Sequence, residues 1–178
     1  MLIERLNDIE AAKVAMNLEK DGMEFYAAAA LLARSRGINE IFRQLAEEEK
    51  EHLEKIQRWQ AELVEAGSGE SFWESPEIDL YVSSLIRSGI FQGKVRETAA
   101  SIRDDNEALD IGIAAEKDSI LFYQEAAARC RSPEGGKMFA RLVEEEKEHF
   151  RRLEARRRGT AGRPDGDISN KAGASGPA

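Results

Sequence analysis

The six residues Glu47-Glu48-Glu49-Lys50-Glu51-His52 return unchanged as Glu144-Glu145-Glu146-Lys147-Glu148-His149. The match extends backward without a gap. Shifted by 97 positions, residues 19–52 fall on residues 116–149, and 17 of the 34 paired positions are identical. Glu19-Lys20-Asp21 pairs with Glu116-Lys117-Asp118, and Phe25-Tyr26 with Phe122-Tyr123. An internal repeat of this quality marks one structural unit used twice.

Each unit reads as a helical hairpin. Ile9, Ala12, Met16, Glu19, Met23, Tyr26, Ala30 and Ala33 follow the three-four spacing of one helix face, and Ser35-Arg36-Gly37 breaks it. Ile41, Leu45, Glu49, His52, Ile56, Trp59 and Leu63 form the next face, ending near Gly67. In the second unit the faces are Leu109, Ile113, Glu116, Ile120, Tyr123, Ala127 and Cys130, then Phe139, Leu142, Glu146, His149 and Leu153. Ser132-Pro133-Glu134-Gly135-Gly136 makes the turn between them, with Pro133 suited to a first helical position. Short turns force the two helices of each hairpin antiparallel.

The expected fold is all-α: a four-helix bundle over residues 1–158, with hairpins at 5–67 and 106–158 and a long, partly helical crossover at 68–105. The crossover reads as helical through Leu80, Val82, Leu85, Ile86 and Phe91, and again from Val95 to Ile102. Residues 159–178, poor in apolar side chains, are expected to be a disordered tail.

Acids and histidines interrupt the apolar stripes at matching points. Glu19, Glu49, Glu116 and Glu146 occupy inward slots, as do His52 and His149, the only two histidines. Each histidine follows a glutamate by three residues, which sets both side chains on one face, one turn apart. Glu19 to Glu49 and Glu116 to Glu146 are equal intervals centred near the turns, so each pair lies at similar depth. Unpaired buried carboxylates repel one another and take up protons. Two divalent cations would neutralise four carboxylates, and a mixed oxygen and nitrogen donor set suits iron, with manganese or zinc as alternatives. A single Glu-x-x-His on a helix more often faces water; two copies at equal spacing argue for a metal site. Glu48 and Glu145, four residues before each histidine, are rival ligands to Glu49 and Glu146.

The Glu of Glu-Lys-Asp-x-x-x-Phe-Tyr and the later Glu-Glu-Lys-Glu-His resemble the two half-sites of the ferritin-like di-iron superfamily, in its rubrerythrin-like branch. The resemblance covers about residues 5–157. It implies Glu19, Glu49, His52, Glu116, Glu146 and His149 as ligands of two iron ions, with Glu49 and Glu146 bridging. Tyr26 and Tyr123 resemble tyrosines that touch the ligands, and an ordinary core role is the competing reading. Rubrerythrin carries a further carboxylate where this chain has Ser119, and a rubredoxin domain for which one cysteine, Cys130, is too few. The implied activity is reaction with dioxygen or hydrogen peroxide, as a ferroxidase or a peroxidase fed by an external electron-donor protein. A non-catalytic iron-binding or sensing module is the alternative.

Composition narrows the rest. The formal net charge of -8 disfavours binding to phosphate backbones, so no nucleic-acid partner is expected. No apolar run approaches the roughly 20 residues that span a bilayer, and the start of the chain carries no apolar signal segment. A cytoplasmic protein without a membrane partner is expected. Phe72, Trp73 and the crossover would suit a homodimer interface. Cys130 is read as a small core residue, Trp59 as a packing or interface residue, and Arg151, Arg152, Arg156, Arg157 and Arg158 as solvated complements to a helix dipole.

Overall fold

Asn7 starts the first helix by reciprocal capping: its side chain accepts from the Glu10 backbone N–H, and the Glu10 carboxylate accepts from the Asn7 N–H. Helix α1 then runs Asp8–Leu32. The computed structural model describes residues 7–66 and 94–161. Within them α2 spans Arg36–Glu65, α3 Val95–Ala100, α4 Asp105–Arg129 and α5 Pro133–Ala161. Asp104 caps α4 by accepting from the Glu107 N–H. Every regular element among the described residues is a helix. None of these helices is long and apolar enough to cross a membrane.

The pairing of ends sets the topology. Asp8 reaches Ser132, Tyr26 reaches Gly112, and Arg34 reaches Asp105, so α1 runs antiparallel to α4. Lys55 meets Glu145 and Arg152 meets Glu48, which makes α2 antiparallel to α5. The end of α2 therefore lies at the opposite end of the bundle from the start of α4. At about 1.5 Å per residue α2 is about 45 Å long, the distance that the connection has to cover. The stretch expected to be helical through Leu80 to Phe91, with Phe72 and Trp73, lies outside the described residues, as do positions 162–178. Helix α3 occupies the second stretch expected to be helical, and its Val95 and Ala99 pack into the core.

The sequence repeat survives as a repeat of contacts. The Asp8 carboxylate accepts from the backbone N–H groups of Arg131 and Ser132, at the turn of the other hairpin. Its counterpart Asp105 accepts from Arg34 and Ser35. Tyr26 stacks on Phe42 and Tyr123 on Phe139, each pair at 5.9 Å and 20°. Such reciprocity is the signature of a twofold relation, here between two halves of one chain.

Two apolar layers result. One is built around Phe25, Tyr26, Phe42, Leu45, Leu109 and Leu153; the other around Ile56, Trp59, Phe122, Tyr123, Phe139 and Leu142. Trp59 is thus a packing residue, edge-on to Phe139 at 5.4 Å. Cys130 is half-buried beside this layer, and burial, reinforced by Asp8, pushes its thiol up to about 12.

Both turns are shorter than the sequence suggests. Helix α2 already begins at Arg36, and α5 begins at Pro133, so Gly135 and Gly136 are helical. Gly135 is required by close approach rather than by a turn: a Cβ there would lie 2.2 Å from the Trp59 ring and 2.5 Å from Cys130 Sγ. Helix α5 also continues past Gly159, where the tail was expected to begin, through Ala161. Thr160 Oγ1 anchors this last turn, at 2.5 Å from Asn106 Oδ1 and bonded to the Arg157 carbonyl.

Candidate metal centre

Between the two apolar layers the interior is polar. Glu19, Glu49, His52, Glu116, Glu146 and His149 are all buried, none more than 4% exposed. The three-residue spacing on α2 and α5 aims each Glu and His at this level, and α1 and α4 add Glu19 and Glu116 from the facing side. The structure brings all six together. Glu19, Glu49, His52 and Glu146 offer ligand atoms within 4.8 Å of one another, and Glu49, Glu116, Glu146 and His149 form a second such group. Glu49 and Glu146 belong to both.

In each histidine Nδ1 faces the centre. His52 Nδ1 lies 3.1 Å from Glu146, 3.3 Å from Glu19 and 3.8 Å from Glu49. His149 Nδ1 lies 3.0 Å from Glu146, 3.3 Å from Glu49 and 3.7 Å from Glu116. Despite these distances, both Nδ1 atoms, Glu19 Oε2 and both Glu146 oxygens make no aligned hydrogen bond. Buried polar atoms left this way carry a large desolvation cost. Cations placed among them would satisfy these atoms at once, so the donor set fits a pair of metal ions.

Protons are the competitors for that place. Burial, followed by repulsion from Glu49, raises Glu19 well above the carboxylate range. Burial raises Glu116 likewise, with Glu146 as its first charged neighbour. Burial opposes charge on Glu49, and burial with repulsion from Glu49 opposes it on Glu146, but the close histidines and the neighbouring Glu19 and Glu116 outweigh this and hold both low. Burial works against a charged His52 too, yet the carboxylates of Glu146, Glu19 and Glu49 drive it up to about 12, and His149 is raised for the same reason. In the metal-free centre, burial and mutual repulsion thus favour the protonated forms of Glu19 and Glu116, while Glu49 and Glu146 stay charged beside charged histidines. A divalent cation entering this cluster has to displace protons, so metal uptake is expected to release protons and affinity to rise with pH. Titrating metal into weakly buffered protein with a pH indicator measures this; metal uptake with no proton release would contradict the assignment.

The tyrosines cross between hairpins. Tyr26 on α1 donates to Glu116 on α4, and Tyr123 on α4 donates to Glu19 on α1. Burial, then the adjoining carboxylates, pushes both phenols well above their ordinary range, so they stay protonated donors. They are at once core aromatics and partners of inward glutamates. Glu48 and Glu145, the rival ligands, fall outside both four-residue groups. Each sits against Nε2 of the opposite hairpin's histidine: Glu145 at 2.8 Å from His52, Glu48 at 3.1 Å from His149. The sequence held one clue to this, their placement one turn before each histidine. The arginines at the end of α5 are also not all left to solvent, since Arg152 pairs with Glu48 and Arg157 with Asp110.

Two antiparallel hairpins enclosing a buried centre of glutamates and histidines define an all-α, ferritin-like bundle with a candidate two-metal site. The family model for rubrerythrin matches residues 10–156, and the chain belongs to the rubrerythrin family. No curated protein and no solved structure matches the chain.

Proposed function

We propose that Glu19, Glu49, His52, Glu116, Glu146 and His149 hold two iron ions and that the reduced pair reacts with hydrogen peroxide or dioxygen. The observation that carries this reading is the membership of Glu49 and Glu146 in both four-residue groups, which would let two neighbouring cations share ligands. Iron bound there would supply the two electrons that reduce an O–O bond. The chain's own residues do the rest. Four carboxylates balance the charge of two divalent ions. Tyr26 and Tyr123 fix one oxygen each of Glu116 and Glu19 by donating to it. The apolar layers on either side keep bulk water from the centre. One cysteine cannot form a four-cysteine iron centre within these residues, so the electrons for turnover would reach the pair from outside this bundle.

Anaerobic titration with ferrous iron is expected to fill two sites per chain. Mixing with one equivalent of peroxide, or with air-saturated buffer, should then oxidise both ions in stopped-flow absorbance. With a one-electron reductant in excess, two electrons should be consumed for each peroxide reduced to water. Fewer than two ions bound, or no oxidation by either oxidant, would overturn the reading. Oxidation without turnover would mark an iron-binding module instead.

A further inference from the structure

The geometry points to Glu48 and Glu145 as positioning residues, each orienting the metal-facing histidine of the opposite hairpin and so setting the affinity of a half-site its own helix does not complete. This rests on the two-metal reading above. A histidine presents Nδ1 to a cation only while its ring and tautomer are held, and a carboxylate accepting from Nε2–H does both. Glu145 stands 2.8 Å from His52 Nε2 and Glu48 3.1 Å from His149 Nε2, while both Nδ1 atoms face the cluster. The same contact made twice, across the twofold relation, separates this arrangement from a chance surface ion pair. Both carboxylates are part-exposed, at 43% and 39%, so they work from the rim of the centre rather than within it.

The two clamps are not equal. Arg152 holds Glu48 through contacts of 2.7 and 3.0 Å, whereas Lys55 reaches Glu145 once, at 3.3 Å. Arg152 Nη1 touches both carboxylate oxygens, and two short contacts fix a carboxylate better than one long contact to a flexible ammonium does. The His149 half-site is therefore the better organised and fills first.

Anaerobic titration of the full chain with cobalt(II), followed by its visible absorption, tests this. Glu48→Leu should weaken one of two bound ions by about 10- to 100-fold, and Glu145→Leu the other by less. Glu48→Gln, which keeps an acceptor oxygen, should recover part of the loss. In a His149→Ala background Glu48→Leu should add nothing; in a His52→Ala background it should have its full effect. Glu47→Leu, at an exposed neighbour paired with Lys50, is the control and should bind as wild type does. Circular dichroism checks folding, and if the Leu variants do not fold, Glu48→Ala and Glu145→Ala carry the same comparison. Wild-type affinity in the Glu48 and Glu145 variants, or coupling of Glu48 to His52 instead of His149, would overturn the inference. A wild-type chain that binds fewer than two ions overturns the two-metal reading instead.

Discussion

Glu49→Gln binds fewer than two metal ions per chain, and its metal-free form unfolds well below the metal-free wild type. Both results follow from where Glu49 stands. It belongs to both ligand groups, so its loss removes an anion that two cations would share. Without metal it is one of two buried anions facing the charged histidines, at 3.3 Å from His149 and 3.8 Å from His52. Removing one partner of a buried ion pair costs about 3–5 kcal/mol, or roughly 6–20 °C in a chain of this size. Glu19→Gln is the contrasting case. Burial raises its carboxyl well above the carboxylate range, which favours the neutral form that an amide mimics, and an amide oxygen can still accept from Tyr123. The metal-free stability of that variant should therefore stay within about 1 kcal/mol of wild type while its metal binding weakens. Thermal unfolding in chelator, with metal content measured separately, distinguishes the two. Equal melting temperatures for the two variants would refute the charge assignment.

Phe139→Ala should lower the melting temperature by a similar amount and damage one half-site more than the other. Phe139 is fully buried, edge-on to Trp59 and Phe122 and stacked on Tyr123. Truncating such a ring costs about 3–5 kcal/mol in lost burial and cavity formation. Tyr123 loses the surface that fixes its ring, so its donation to Glu19 loosens, and the group containing Glu19 and His52 should lose metal affinity first. Phe42→Ala should do the same to Tyr26, Glu116 and the His149 group. Calorimetric unfolding and cobalt titration read the two effects. A shift under about 3 °C would mean that the layer repacks around the void.

Much of the fold was legible because it depends on short-range periodicity. Glu49 and His52 share a face because three residues make nearly one turn, and the same holds for Glu146 and His149. The repeat added that whatever one hairpin contributes, the other contributes again. Helix ends were less legible. Gly135 and Gly136 read as a turn because glycine weakens helices, yet the helix includes them, since Trp59 and Cys130 occupy the space where a Cβ at 135 would lie. Likewise Thr160 carries α5 past Gly159 through a bond to Asn106, a residue 54 positions away.

Four glutamates and two histidines fall on inward helix faces at matched depth whatever the packing, because helical spacing is a local property of the chain. The exchange between hairpins comes from packing alone: Tyr26 to Glu116, Tyr123 to Glu19, Glu48 to His149 and Glu145 to His52. Packing also decides that Nδ1 and not Nε2 faces the centre. These contacts depend on the register and separation of neighbouring helices, which the packing of the two apolar layers sets and no local pattern encodes. A carboxylate one turn before a histidine can face water, a metal or a neighbouring helix. Here the antiparallel packing of α2 on α5 brings the opposite histidine within its reach.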